Sequence, residues 1–507
     1  MAAIAFKKLQ NGSDIRGVAL EGIEGQPVNL TEEAVTTIAK AFGAWLSKRT
    51  GKDAGQLKVA IGRDSRISGP ALLAAAAKGL CTAGVSVTDC GLASTPAMFM
   101  TLVTDGFSFD GSIMITASHL PFNRNGMKFF VASGGLEKSD IAEILALAEA
   151  GDFLTPQTPG KMDACDFISV YAEGLVEKIR AACGSEKPLE GFHIVVDAGN
   201  GGGGFFVDKV LAPLGADASG SQFLEPDGSF PNHIPNPEDK TAMESIRGAV
   251  LANHADLGII FDTDVDRAGA VDKNGREINR NRIIALISAI LLHEHPGTAI
   301  VTDSITSSGL KTFIEEKGGI HHRFKRGYKN VINEAIRLNR EGTDCQVAIE
   351  TSGHGALKEN YFLDDGAYLI AKILVQMARL KKEGKTIDEL IADLQEPLEA
   401  KEYRMKILAE DFKEYGNRLI EALKEYAAKQ PGWQVEPNNY EGIRVKFAQG
   451  DGDGWFLLRL SLHDPIIPLN IESNAQGGVK HIAGKLYPFV AQYEEIDSAC
   501  LQEEVQG

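Results

Sequence analysis

Short apolar runs rich in β-branched residues alternate along this chain with stretches of helical periodicity. Leu57 to Gly62 precedes Ala71 to Ala83, Phe192 to Val196 precedes Phe205 to Leu214, and Ala299 to Thr302 precedes Gly309 to Lys317. Runs this short suit buried strands and the intervening stretches suit crossover helices, so the pattern predicts an α/β fold of repeated strand–helix units. The shared rhythm allows three related α/β domains. After Tyr440 the pattern changes: Gly442 to Phe447 and Gly454 to Ser461 alternate apolar with polar residues around a turn at Gln449 to Gly454. Such alternation predicts antiparallel strands with one wet face, in a smaller C-terminal α+β domain. Linkers are expected at Thr155 to Gly160, around Asn274 to Asn281, and at Glu396 to Lys401 after a charged helix over Met377 to Leu394. The resulting division is 1–158, 159–276, 277–395 and 396–507.

Length and charge narrow the class of partner. A chain of 507 residues exceeds what one core organises, which agrees with several domains. Lys plus Arg number 52 against 69 Asp plus Glu, a net charge of −17, which argues against a nucleic-acid or anionic-membrane surface. An anionic ligand must therefore find a locally basic pocket. The six cysteines are scattered without metal-site or disulfide spacing, as expected in a reducing cytoplasm. Met1 to Phe6 is too short for a signal-peptide apolar region, and the longest apolar run, Ile283 to Leu292, is too short to span a bilayer. A cytoplasmic protein without membrane partners is the expectation.

Four stretches at the ends of apolar runs carry candidate chemistry. Asp262-Thr263-Asp264-Val265-Asp266-Arg267 follows Leu257 to Phe261. Carboxylates at alternate positions can converge on one hard divalent cation, Mg²⁺ being the natural candidate, and they repel one another unless a positive charge sits among them. An EF-hand is disfavoured because its sixth and twelfth positions would be Arg267 and Lys273; a solvated acidic turn is the bland alternative. Thr116-Ala117-Ser118-His119-Leu120-Pro121 follows Gly111 to Ile115 and precedes Asn123, Asn125, Gly126 and Lys128. A serine beside His119 with Lys128 downstream suits a nucleophile or a phosphoryl carrier, as well as a plain Pro-bounded turn. A hydrolase elbow would need glycine where Thr116 and Leu120 stand.

Glu350-Thr351-Ser352-Gly353-His354-Gly355 follows Val347 to Ile349; Glu350 and Ser352 suit sugar hydroxyls, and His354 can donate a bond or move a proton. Arg459-Leu460-Ser461-Leu462-His463-Asp464 offers a fork, a hydroxyl and an imidazole to a phosphate dianion. Arg16, the run Gly62-Arg63-Asp64-Ser65-Arg66, and Lys325-Arg326-Gly327-Tyr328-Lys329 set cations beside glycine, and singly they read as solvated surface charge. Gly199 to Gly204 satisfies a dinucleotide-binding spacing, but no acidic residue is clearly placed at the end of the next strand, so a nucleotide-dependent oxidoreductase is a distant alternative.

Taken in order, the serine loop, the acidic loop, the Glu-x-Ser-Gly-His loop and the Arg-x-Ser loop resemble those of the α-D-phosphohexomutases, the phosphoglucomutase and phosphomannomutase family. Supporting stretches are Asp14 to Gly17, Gly62 to Gly69, Asn125 to Lys128, Val195 to Gly201, and Pro226 to His233 with Pro235 to Pro237, and the likeness runs from about Gly12 to about Glu472. The resemblance implies three related α/β domains and a smaller α+β domain around a central cleft, each contributing one loop. It implies that Ser118 carries the phosphoryl group, with Asp262, Asp264, Asp266 and a phosphoserine oxygen holding one Mg²⁺. Glu350, Ser352 and His354 would contact the sugar. Arg459, Ser461 and His463 would hold the phosphate that is not being transferred. Arg16, Lys128, Arg267 and Lys325 match positions around the transferring group or substrate, and His119 adjoins the phosphoserine. The implied activity interconverts hexose 1-phosphate and hexose 6-phosphate, of glucose or mannose, through a bisphosphorylated sugar that also serves as activator. A mutase for another phosphosugar such as glucosamine phosphate, and a phosphosugar-binding pseudoenzyme, are the alternatives. The chain departs from the family pattern at Thr263 in the acidic loop, at Ile349 before Glu350, and at Leu462, His463 and Asp464 in the phosphate loop.

Overall fold

The first long helix, Glu32–Thr50, starts where the Thr31 hydroxyl accepts the Ala34 N–H at 3.1 Å and stops at Gly51 in the left-handed region. These are the caps that free N–H and C=O groups at helix ends require. Its apolar face carries Ile38, Phe42, Trp45 and Leu46 into the core, where the rings of Phe42 and Phe129 lie 4.8 Å apart. Burying a side chain the size of Phe42 contributes about 2–3 kcal/mol. A computed structural model describes residues 5–461 and 464–506. They group into two compact units: the chain through Ile283 with Ser352–Leu390, and Ile284–Thr351 with the chain from Ile391 onward.

In the first unit, one sheet runs in the order Gln10–Asn11, Asp14–Val18, Arg124–Val131, Gly111–Ile115, Lys58–Arg63, Ser86–Leu92, Met162–Ala164. Lys58–Arg63 is parallel to both neighbours, and Gly111–Ile115 turns back antiparallel into Arg124–Val131. That reversal sets the serine loop at the end of a fully buried strand and brings Lys128 back across from Met114. A second sheet has Ile194–Asp197 parallel to Leu257–Phe261, which reverses through the acidic loop into antiparallel Ala268–Asp272. Gly355–Leu357 and Leu363–Asp364 form an antiparallel pair leading into helix Gly366–Lys382.

In the second unit, Ile320–Arg323, Ala299–Thr302 and Cys345–Ile349 form a parallel sheet. A separate six-stranded antiparallel sheet follows, in the order Gln434–Val435, Ile443–Phe447, Gly454–Leu458, Ile466–Ser473, Glu399–Ile407, Ile496–Asp497. Helices Phe412–Ala427 and Gly478–Val490 pack on it around Leu419, Leu423, Phe456 and Leu486. The expected change from α/β units to an antiparallel C-terminal region is present.

Three expectations of local structure are corrected. Asn274 to Asn281 is not a free linker, because Glu277–Ile278 pairs with Ala268–Asp272 and a helix starts at Arg280. The helix expected over Met377 to Leu394 instead spans Gly366–Lys382; its buried face begins with Gly366 and Ala367, and Gly384 turns left-handed just beyond it. Phe205 to Leu214 is no regular α-helix but winds into a π-helical turn at Val207–Leu211.

Candidate active site

Ser118 stands in the left-handed region at φ 50°, a costly backbone for a residue with a Cβ. Thr116 braces it, its hydroxyl accepting the Ser118 N–H at 2.9 Å and donating to Asp64 Oδ2 at 2.7 Å. Ser118 is only 4 % exposed, and its hydroxyl donates to Asp262 Oδ2 at 2.8 Å. Arg267 Nη2 reaches Ser118 Oγ at 3.3 Å and donates to His119 Nδ1 at 2.6 Å. Burial, with the charges of Arg267 and Arg16 behind it, pushes the His119 imidazole down to about 2, so it is neutral and accepts that bond.

The acidic loop is folded back on itself. Val265 sits at φ 65°, an outlier for a β-branched residue, and its carbonyl accepts the N–H of Gly366 at 3.1 Å. A Cβ on Gly366 would lie 2.6 Å from the Arg267 carbonyl carbon, so the helix N-terminus reaches the loop only because residue 366 is glycine. The start of that helix is thus tied to the backbone of the acidic loop. Gly201 plays a similar part from the glycine tract: a Cβ there would come within 2.9 Å of the Thr263 backbone, and Gly202 N–H donates to Thr263 O at 2.8 Å. The tract thus supports the acidic loop through its backbone.

Asp262, Asp264 and Asp266 are buried, and one oxygen of each lies within 4.8 Å of the others. Lys128 Nζ is 3.1 Å from Asp264 Oδ2 and also pairs with Asp266, while Arg267 Nε is 3.1 Å from Asp262 Oδ2. Thr95 donates to Asp264 Oδ2 at 2.5 Å. Burial, and then the charges of Asp266 and Asp264, push Asp262 well above the ordinary carboxylate range. Burial would raise Asp266 too, but Lys128, His354 and Arg267 outweigh it and hold that group low. Asp264 Oδ1 and Asp266 Oδ1 are buried without a hydrogen-bond partner. Buried carboxylate oxygens left without a hydrogen bond beside repelling neighbours are what a divalent cation relieves, so the donor set fits a hard metal ion.

His354 joins the same centre, bridged to Arg267 across the backbone, ion-paired with Asp364, and 4.0 Å from Asp266 Oδ1. Burial opposes its charging, yet Asp364 and Asp266 hold the imidazole up at about 9. The Ser352 hydroxyl is buried without a partner. Arg16, on the strand next to Lys128's, bonds Asp14 at 3.1 Å.

The remaining candidates belong to the second unit. Glu350 Oε1 accepts the Gly327 N–H at 2.6 Å, and Thr351 Oγ1 donates to Asp303 at 2.7 Å. Lys325 is exposed beside Phe324. Arg459 is 8 % exposed, with its Nε buried and unpartnered; burial pulls it below its ordinary range against the Glu441 carboxylate. Ser461 Oγ accepts the Asp464 N–H at 3.3 Å. His463 lies outside the described residues, as does Leu462.

Three domain families match in chain order: phosphoglucomutase/phosphomannomutase alpha/beta/alpha domain I over residues 7–155, domain II over 169–275 and domain III over 279–398. The chain is 30% identical over 467 residues to a phosphoglucomutase of Neisseria gonorrhoeae, covering 92% of this chain and 94% of that one. The chain belongs to the phosphoglucomutase/phosphomannomutase family. A phosphomannomutase/phosphoglucomutase of Pseudomonas putida is 29% identical over 93% of this chain and 94% of its own. A crystal structure of a phosphoglucomutase/phosphomannomutase family protein from Burkholderia thailandensis superposes with a TM-score of 0.79 at 27% identity, covering 98% of this chain and 100% of that one.

Membership in this family gives the acidic loop its context, but several residues of the centre escaped sequence reasoning. Thr95 lies 169 positions from its partner Asp264, and nothing local announces it. Asp364 adjoins Asp365, whose carboxylate caps helix Gly366–Lys382, so an acidic pair before a helix was the available signal. Arg66, read as solvated surface charge, has no exposed surface at all.

Proposed function

We propose that this chain is a phosphohexomutase that moves a phosphoryl group between the 1- and 6-positions of glucose or mannose phosphate by way of Ser118 Oγ. The reading is carried by one observation: a strained, buried serine hydroxyl 2.8 Å from a carboxylate whose neighbours each keep one buried oxygen without a hydrogen bond. Asp262, Asp264 and Asp266, with a phosphoserine oxygen, would hold one Mg²⁺, which when bound neutralises charge on the transferring group. Arg267, 3.3 Å from Ser118 Oγ, and Lys128, paired with Asp264 and Asp266, add fixed positive charge to the centre, so transfer needs little rearrangement of the protein. Neutral His119 accepts the Arg267 bond and keeps that guanidinium aimed at Ser118. His354, held up by Asp364, would contact a sugar hydroxyl as a hydrogen-bond donor. By the family resemblance, Arg16 and Lys325 would each offer a cation to the substrate, Glu350 and Ser352 would bind sugar hydroxyls, and Arg459, Ser461 and His463 would hold the idle phosphate.

A hexose 1,6-bisphosphate would be both intermediate and activator. The four-domain division at residues 158, 276 and 395, and a cytoplasmic location, belong to the same reading; among the described residues no helix is long and apolar enough to cross a membrane. The test is an assay with Mg²⁺, a trace of glucose 1,6-bisphosphate and glucose 1-phosphate or mannose 1-phosphate. Formation of the 6-phosphate is expected. No turnover with either sugar, with Ser118 shown by peptide mass to be phosphorylated, would overturn the reading.

A further inference from the structure

In the loop that carries Ser118, the carbonyl oxygens of Ser118, Leu120, Pro121 and Arg124 converge on one side chain. Arg66 Nη1 donates to Pro121 O at 2.8 Å and Arg124 O at 2.9 Å, and Nη2 donates to Leu120 O at 2.6 Å and to Ser118 O. Its Nε lies 3.3 Å from Asp64 Oδ2, and its backbone N–H donates to Asp64 Oδ1 at 2.9 Å. The same Asp64 anchors Thr116, which in turn holds the Ser118 N–H. Behind the guanidinium lies the ring of Phe230, 5.3 Å from Arg66 Cζ, in a segment that approaches so closely that a Cβ on Gly228 would meet the Ser65 carbonyl oxygen at 2.6 Å. Pro226 to His233, a stretch without an obvious role in the chemistry, therefore backs the serine loop.

A planar fork with several donors in fixed directions can serve four carbonyls at once, whereas an ammonium is a point donor on a flexible stem. Ser118 needs such a mould, because a residue at positive φ keeps its conformation only when its surroundings over-determine it. We propose that Arg66 is a positioning residue for phosphoryl transfer: its guanidinium shapes residues 118–124 so that the Ser118 hydroxyl points at the acidic loop. The inference rests on the mutase reading above. The bonds of Arg66 go to Asp64 and to loop carbonyls and not to the side chains of Asp262, Asp264 or Asp266, so it acts through the backbone of the loop.

Arg66→Lys keeps the charge beside Asp64 and removes the fork. Its kcat should fall about 10- to 100-fold, as small misplacements of a reacting group do, with KM within about a factor of two of wild type. Uptake of phosphate by Ser118 from glucose 1,6-bisphosphate, followed by intact mass, should slow by the same factor. In Arg66→Ala, millimolar guanidinium ion should restore part of kcat and ammonium none. Wild-type turnover separates the two readings. A wild-type chain without turnover rejects the mutase and this role with it, whereas an active wild type with undiminished kcat in Arg66→Lys rejects this role alone. The role is equally overturned if kcat per folded molecule, with the folded fraction measured by circular dichroism, stays at the wild-type value, or if only KM changes. An Arg66→Ala chain that folds yet ignores guanidinium also counts against it.

Discussion

Around Ser118, three carboxylates and two cations neutralise one another inside the protein, while Arg459 and Lys325 in the second unit stand with fewer fixed partners, one at the edge of burial and the other exposed. The difference follows what each region would have to do. Transfer of a phosphoryl group is accelerated by charges already in place, since dipoles that need not reorganise act most strongly in a dry site. Holding an idle phosphate in either of two orientations calls for donors left open to it, and an Arg fork serves both. Residues of the first region should therefore act on kcat, and those of the second on KM.

The sharpest break would come at Ser118. Ser118→Ala should leave no measurable mutase activity while the thermal midpoint stays within a few degrees of wild type; a variant with near-normal turnover would sink the phosphoserine route. Next is Asp264, whose Oδ1 has no protein partner to compensate its loss. Asp264→Asn should raise the Mg²⁺ concentration for half-maximal activity at least about tenfold, and a chelator should silence the wild type reversibly. Unchanged metal dependence would reject the acidic loop as the metal site.

Arg459→Ala tests the other side. Losing bonds to a charged phosphate costs about 1.5–3 kcal/mol, so KM should rise about 10- to 100-fold with kcat changed far less. A fall in kcat at constant KM would erase the distinction between the regions. The smallest effect is expected at His233, distant from both in role. Burial opposes its charge, but the bond and charge of Asp197, 3.0 Å away, raise it above the ordinary 6.5. A folded-state value above the unfolded one means that this contribution is fully present below pH 6.5 and fades as pH rises through the folded value. The stability gap between wild type and His233→Gln, about 1 kcal/mol as for one buried hydrogen bond, should be largest near and below about pH 6 and close toward alkaline pH, with kcat unaffected. A pH-independent gap, measured by urea unfolding across that range, would assign His233 a packing role only.

Much of the centre was legible because its groups are contiguous. The alternate carboxylates at 262, 264 and 266 and the serine loop after Ile115 each sit at the end of an apolar run, and strands end where such runs end. Partners drawn from other elements were not legible. Thr95 meets Asp264, Asp364 meets His354, and Arg66 meets four carbonyls more than fifty residues away, through sheet order and strand reversal that no local pattern encodes. Surface charge was the ordinary reading of Arg66 because burying a guanidinium is costly unless carbonyls and a carboxylate await it, and those come only with the fold.

Backbone periodicity and turn chemistry are local, so the elements, the order of the loops and the residue types at each strand end were already set along the chain. Which of those charges are buried, and what each one faces, was settled by assembly of the fold. Desolvation and Coulomb interaction depend on distances between segments remote in the chain. The displaced titrations of Asp262, Asp266 and His354, and the inward turn of Arg66, therefore exist only once the sheets have come together.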